Sequence, residues 1–117
     1  MQFRLVAAAL LAAGLCAGIA MLVPPLSRAD DPYAGGDAKR GEQVFSNNGC
    51  GWCHEGMGRQ AGRGPKLMDT KRSDDFIATR IMNGKLGSMP AFGGNLDDQQ
   101  LNDLIAFIHS IKPEGTQ

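Results

Sequence analysis

The chain has 117 residues, with twelve basic and twelve acidic side chains and no formal net charge. A chain of this length forms one domain at most. The balanced charge argues against a nucleic-acid-binding protein of the strongly basic kind.

Residues 1–29 have the pattern of an export signal. A short basic start is followed by an apolar run to Val23, and Ser27-Arg28-Ala29 supplies the small residues that a signal peptidase reads, so cleavage is predicted after Ala29. The apolar run is nearly long enough to span a bilayer, which leaves an uncleaved anchor as the alternative. With either outcome the sequence predicts a domain in the periplasm, in contact with the membrane only if the leader is kept.

Three helices are predicted after a flexible lead-in at residues 30–36, which is polar and rich in Gly and Pro. Each helix is preceded by a side chain suited to capping its first turn: Asp37, Ser73, and Asp97 with Gln100 as a capping box. Each is followed by a stop signal: Asn47-Asn48-Gly49, Asn83-Gly84 and Lys112-Pro113. No alternating strand pattern is present, so the predicted fold class is all-α, with one domain at 37–113 and a tail at 114–117.

The loop after the first helix contains Cys50-Gly51-Trp52-Cys53-His54. Two cysteines at this spacing fit a disulfide, a thiol redox pair, half of a zinc site or the attachment point of a haem. Zinc needs more protein ligands than the chain offers nearby, and a redox pair usually follows a strand in an alternating fold. A histidine directly after the second cysteine is the feature that covalent haem attachment requires. The favoured interpretation is therefore one haem c, attached through Cys50 and Cys53, with His54 as an iron ligand.

The candidates for a second iron ligand are the methionines downstream of the leader: Met57, Met68, Met82 and Met89. Met57 is too close to His54 to reach the opposite face of the ring. Met89 lies in a loop flanked by glycines, and Pro90 fixes the chain directly after it. Met89 is favoured, with Met68 and Met82 as alternatives, while His109 in the last helix is expected to be a partly exposed surface residue.

Together these features resemble a class I monohaem cytochrome c of bacterial type over residues 37–113. The matching pieces occur in the family's order: Gly41 with Phe45, Cys50 to His54, Gly64-Pro65-Lys66-Leu67, Asn83-Gly84, Met89-Pro90-Ala91-Phe92, and Phe107. The resemblance implies a small cytochrome c fold wrapped around one covalently bound haem. It also implies that Gly41 lets the first and last helices cross closely near Phe107, and that the Pro65 carbonyl accepts a hydrogen bond from His54.

The resemblance further implies a monomeric electron carrier rather than an enzyme. Its expected donor is a periplasmic dehydrogenase, for example a quinoprotein alcohol dehydrogenase, or a quinol-oxidising complex, and its acceptor is a terminal oxidase or reductase. Mitochondrial members are more basic and longer between the haem motif and the methionine, so their partners are not carried over. Two alternatives stay open: a haem enzyme or gas sensor in which Met89 is labile, and a thiol or zinc protein without haem.

Three further expectations concern the protein surface and the packing around the haem. The basic residues between 59 and 85 form either a docking face for a redox partner or an ordinary solvated surface. Trp52 either lies along the haem edge near that surface or has a packing role. The apolar lining of the haem is expected to consist of Leu67, Phe76, Ile81, Phe92 and Leu104.

Overall fold

The computed structural model describes residues 31–116, so the predicted leader at 1–29 and its anchor alternative lie outside the described residues. Three α-helices are present: α1 (Ala38–Asn47), α2 (Asp74–Asn83) and α3 (Asp98–Ser110), with a short 3₁₀ helix at Cys50–Trp52. Within this part of the chain there is no β-strand, and an isolated bridge joins Lys85 to Met89. The all-α prediction is confirmed.

The three helices begin where the capping side chains predict. Asp37 accepts a hydrogen bond from the Arg40 N–H at 2.8 Å, and Ser73 accepts one from the Phe76 N–H at 3.3 Å. At the start of α3 the Asp97 carboxylate accepts from the Gln100 N–H at 2.7 Å, and the Gln100 side chain accepts from the Asp97 N–H at 3.0 Å. Each cap satisfies backbone N–H groups that have no partner inside the helix, which is why these helices start at these residues.

The close crossing of α1 and α3 depends on Gly41. A methyl group on Gly41 would lie 1.9 Å from the Asp103 carbonyl oxygen and 2.7 Å from Phe107 Cβ. Only the absence of a side chain lets the two backbones approach this closely, as the sequence predicted. One turn further along, the rings of Phe45 and Phe107 pack with centroids 5.3 Å apart at 57°, a tilted arrangement that aromatic pairs prefer. This crossing forms the centre of the hydrophobic core.

A buried carboxylate locks the same crossing. Asp103 on α3 is only 3% exposed and accepts hydrogen bonds from Arg40 Nε at 2.7 Å, the Asp37 N–H at 2.7 Å and Gln99 Nε2 at 2.9 Å. The hydrogen bonds from the Arg40 guanidinium hold the pKa of Asp103 at about 2, although burial acts in the opposite direction. The start of α1 is thereby tied to the middle of α3.

Residues 31–36, for which the composition favoured a flexible lead-in, form a turn held against α2 and α3. The Tyr33 hydroxyl donates to Asp75 at 3.0 Å, and the Asn102 side chain donates to the Pro32 carbonyl at 3.3 Å. A methyl group on Gly36 would lie 2.1 Å from the Asn102 carbonyl oxygen. These contacts join residues far apart in the chain, so the local composition gave no sign of them.

A histidine and an aspartate link the start of α2 to the last turn of α3. His109 is exposed, as expected, and its Nε2 lies 2.6 Å from Asp74 Oδ1. The pair leaves His109 on the surface rather than in the core. No helix within residues 31–116 is long and apolar enough to cross a membrane.

Candidate haem-binding site

The two cysteines lie on one tight turn that follows α1 directly. Gly49 has a left-handed backbone, with φ of +69°, and opens the 3₁₀ helix at Cys50–Trp52. The Cys50 carbonyl then accepts hydrogen bonds from the N–H groups of Cys53 at 3.2 Å and His54 at 3.0 Å. Both thiols are free and partly buried. A single hydrogen-bonded turn therefore fixes the spacing between the two thiols and the imidazole.

The imidazole of His54 is oriented by the predicted partner. Its Nδ1 lies 2.7 Å from the Pro65 carbonyl oxygen, and the residue is only 9% exposed. Because a carbonyl can only accept, Nδ1 carries the proton, and the lone pair is then on Nε2. A neutral imidazole with a free Nε2 is the form that binds a metal ion. Thus the turn offers two thiols together with one nitrogen ligand of fixed orientation.

Gly64 makes room for that imidazole. A methyl group on Gly64 would lie 2.6 Å from His54 Cε1 and 2.8 Å from Nδ1, well inside the 3.5–4.0 Å at which carbon atoms pack, by roughly one ångström. The Gly64 N–H also donates to the Cys53 carbonyl at 2.9 Å, which ties this loop to the cysteine turn. The loop and the turn form one unit around the ring of His54.

Burial affects the chemistry of the first cysteine. The loss of solvent around Cys50 raises the pKa of its thiol. A protonated, partly buried thiol is a weak nucleophile and a weak metal ligand. This direction is opposite to the lowered pKa of a redox-active thiol.

The described part of the chain also lacks the second half of a zinc site. Within residues 31–116, no group of three or more His, Cys, Asp or Glu side chains is placed where it could hold a metal ion. The zinc alternative needs about four such ligands. The ligand set of this turn instead matches a haem, since it supplies one thiol for each of two vinyl groups and one imidazole for the iron.

All four methionines considered as second ligands are half-buried and pack against the core. Met57 lies in the turn closed by the Gly58 N–H, which donates to the His54 carbonyl at 3.1 Å, so it stays close to His54 in the fold. The terminal carbon of Met82 lies 3.5 Å from the position of a methyl group on Gly93, and its side chain packs on that part of the loop. Met89 lies in the loop after α2, where the sequence predicted a ligand.

The residues expected to line the haem fall into three groups. Ile81 and Leu104 are fully buried in the core, and Leu67 and Phe92 are half-buried against it. Phe76 is 40% exposed and lies against two arginine side chains.

Two arginines, Arg72 and Arg80, flank Phe76 in the sequence and contact its ring. The guanidinium carbon of Arg72 lies 4.7 Å from the ring centroid and that of Arg80 lies 5.3 Å away. Both distances are within the range of a cation–π interaction. Phe76 therefore lies at the protein surface between two arginines, and its place in the haem lining stays a prediction.

Trp52 was given either a position at the haem edge or a packing role. Trp52 is 87% exposed, so the position at the haem edge and the packing role both stay predictions. The ring lies beside Gly49, where a methyl group would come within 3.3 Å of it. Trp52 is therefore a surface residue between the two cysteines.

The family model described as cytochrome c oxidase, cbb3-type, subunit III matches residues 36–108 of this chain. The chain belongs to the c-type cytochromes. Membership in this family implies one haem c, bound covalently through Cys50 and Cys53, and a function in electron transfer.

Two relatives show how this cytochrome compares in length. It is 35% identical over 86 residues to the cbb3-type cytochrome c oxidase subunit FixPc of Rhizobium leguminosarum bv. viciae, covering 68% of this chain but only 30% of that subunit. It is 32% identical over 89 residues to cytochrome c6 of Bryopsis maxima, covering 69% of this chain and 99% of that protein. The match to FixPc therefore concerns one part of a larger protein.

A solved structure supports the fold assignment. The crystal structure of cytochrome c6 from the diatom Phaeodactylum tricornutum superposes with a TM-score of 0.52 at 34% identity, covering 62% of this chain and 91% of that one. The cytochrome has the small all-α fold of class I members.

Gly84 is the residue at this site that sequence reasoning missed. Asn83-Gly84 was interpreted as a helix stop and as a piece that matches the family, yet Gly84 also lies directly against the backbone of Met89. The signal in the sequence was that Gly84 lies five residues before Met89. The distance between those two chain segments was not visible in the sequence.

Proposed function

We propose that this cytochrome is a periplasmic one-electron carrier in which His54 and Met89 are the axial ligands of the haem iron. The observation that carries the proposal is the 2.7 Å contact between His54 Nδ1 and the Pro65 carbonyl, because it leaves Nε2 free to bind iron. Bound haem supplies the exchange of one electron between ferric and ferrous iron.

Each residue of the site then has a separate role. Cys50 and Cys53 hold the porphyrin in one orientation, and His54 is kept in one tautomer by Pro65. A thioether from Met89 on the opposite face would favour the reduced state and raise the reduction potential. If His54 and Met89 both bind the iron, no position would be left for oxygen or a substrate, and we infer a carrier rather than an enzyme.

The redox partners are proposed from the family and from its relatives. The similarity to a subunit of a cbb3-type oxidase supports a terminal oxidase as the acceptor, with a reductase as the alternative. A periplasmic dehydrogenase, including one of the quinoprotein alcohol dehydrogenase type, or a quinol-oxidising complex is the proposed donor. We expect the cytochrome to act as a monomer.

A basic docking face is supported by one part of the predicted segment. Arg72 and Arg80 converge on Phe76, and within residues 31–116 neither forms an ion pair with a carboxylate. The neighbouring acids Asp74 and Asp75 already bind His109 and Tyr33. If this surface meets an acidic partner, the association rate should fall steeply with ionic strength. A rate that does not change with salt would contradict a docking role for these arginines.

The ligand assignment is tested by absorption spectroscopy of the protein exported together with haem-attachment machinery. Haem that stays with the protein through acid-acetone extraction would establish covalent attachment. The ferric protein should show the weak far-red band of sulfur-ligated iron, and Met89→Ala should abolish it.

The matched controls are Met57→Ala, Met68→Ala and Met82→Ala, which remove equally half-buried methionines and should keep the band. Rapid binding of carbon monoxide to the reduced wild-type protein would instead favour the enzyme or sensor alternative. Colourless protein, or haem that extracts, would refute the carrier proposal.

The export proposal has its own test. Cleavage after Ala29 predicts a mature protein that begins at Asp30, which mass spectrometry of the purified protein measures directly. A mass that includes residues 1–29 would identify an anchored form instead.

A further inference from the structure

The loop that contains Met89 is closed by a pair of backbone hydrogen bonds. The Lys85 N–H donates to the Met89 carbonyl at 2.8 Å, and the Met89 N–H donates back to the Lys85 carbonyl at 2.9 Å. Leu86, Gly87 and Ser88 form the tip between them. The backbone of Met89 is thus held by two hydrogen bonds to Lys85.

The loop is also attached to the end of α2. The Phe92 N–H donates to the Ile81 carbonyl at 2.9 Å, and the Gly93 N–H donates to the Met82 carbonyl at 3.0 Å. These carbonyls belong to the last turn of α2 and have no partner inside the helix. The chain therefore leaves α2, turns at residues 85–89 and returns to the helix end that it left.

Gly84 is the point where the outgoing and returning segments are closest. A methyl group there would lie 2.4 Å from the Met89 carbonyl oxygen, 2.7 Å from the Pro90 carbonyl carbon and 2.8 Å from the Ala91 nitrogen. All three are backbone atoms, which cannot rotate away as a side chain can. Gly84 also has φ of +66° and ψ of −162°, a conformation adopted almost only by glycine.

We propose that Gly84 is a positioning residue for Met89, because its lack of a side chain sets how closely the methionine segment approaches the end of α2. This inference rests on the proposed ligation of iron by Met89. A side chain at position 84 would push the Met89–Pro90 backbone outward while leaving the cysteine turn and the α1–α3 crossing unaffected.

The test compares Gly84→Ala with Gly87→Ala in the haem-loaded protein. Gly87 also has a left-handed backbone, with φ of +76°, but a methyl group there would meet nothing within 4 Å. The expected result is that Gly84→Ala loses the far-red ferric band and binds carbon monoxide when reduced, whereas Gly87→Ala keeps the band and does not bind it. Haem retention and the helical circular dichroism signal should be unchanged in both variants.

Several outcomes would overturn the inference. A retained band in Gly84→Ala, with loss of the band in Met89→Ala, would refute the role of Gly84 while the ligand assignment stands. Loss of the band in both glycine variants would show that the left-handed backbone, not the close approach, is responsible. A retained band in Met89→Ala would refute the ligand assignment itself, and the inference with it.

If Gly84→Ala does not fold, hydrogen exchange in the wild-type protein gives the answer. The amides of Lys85 and Met89 should exchange as slowly as those in the last turn of α2. The Gly87 amide, which makes no backbone hydrogen bond within the described residues, serves as the fast reference. Exchange of the Lys85 and Met89 amides at the Gly87 rate would overturn the inference, since the loop would then not be held by its own backbone.

Discussion

Replacing Gly41 with alanine should force α1 and α3 apart. The added methyl group would lie 1.9 Å from the Asp103 carbonyl oxygen and 2.5 Å from its carbonyl carbon. Ordinary van der Waals contact begins at 3.4 Å, so the oxygen is 1.5 Å too close (3.4 − 1.9). Both atoms belong to the backbone of α3, so the strain can be relieved only by moving a whole helix.

The size of the effect follows from two opposing contributions. Overpacking of a core costs about 1–3 kcal/mol, and we take the upper end because backbone atoms are involved. The gain in helix propensity from glycine to alanine offsets about 1 kcal/mol of this. The net loss of about 2 kcal/mol should lower the melting temperature by about 8–16 °C in a domain of this size.

Thermal unfolding of the haem-loaded protein, followed by far-ultraviolet circular dichroism, measures this shift. Gly94→Ala is the matched control, because a methyl group there would meet nothing within 4 Å. Gly94→Ala measures how replacing a glycine by alanine affects the unfolded chain. This effect on stability is neutral to slightly stabilising. A Gly41→Ala protein that melts at or above the wild-type temperature would refute the argument from close helix approach.

Three further predictions concern the crossing, the last helix and the histidine. Asp103→Asn should cost about 1–2 kcal/mol of unfolding free energy near neutral pH. Since the pKa of Asp103 is lowered from 3.8 to about 2 in the folded protein, its contribution is present above pH 4 and is lost as the pH falls toward 2. Asp97→Ala should destabilise the protein by about 1 kcal/mol through loss of the capping box. Gly64→Ala should change the orientation of the His54 ring and make the ferric spectrum predominantly high-spin.

Each of these has a measurement that decides it. Urea unfolding at a series of pH values tests Asp103→Asn, and a difference from wild type that stays constant from pH 5 to pH 2 would contradict the assigned carboxylate. For Asp97→Ala, a midpoint equal to that of wild type would show that the capping box contributes nothing to stability. The electron paramagnetic resonance spectrum of Gly64→Ala, compared with that of Gly94→Ala, tests the space required by His54, and a low-spin spectrum in both would contradict it.

Local composition and three-dimensional contact differ at the start of the described residues. The turn at 31–36 has the composition of a flexible segment, yet Tyr33 binds Asp75, which is 42 residues further along the chain. This contact joins two residues far apart in the chain, so the local composition could not predict it.

The sequence by itself determined the features that depend on short-range interactions. Helix starts follow from caps that reach two or three residues along the chain, as at Ser73. The chemistry of attachment follows from residue types within one turn, since Cys50, Cys53 and His54 are brought together by adjacent backbone hydrogen bonds. Only residue identity and spacing are needed for either.

The tertiary structure alone decided which distant segments meet. Arg40 and Asp103 are 63 residues apart and form the lock between α1 and α3, and Gly84 gains its importance from the backbone of Met89 on the returning segment. Such contacts depend on how the packed helices bring chain segments together, and their free energy comes from burial and close approach after the helices have formed. The sequence therefore identified the turn that contains Cys50, Cys53 and His54, while the packing determined which distant segments meet.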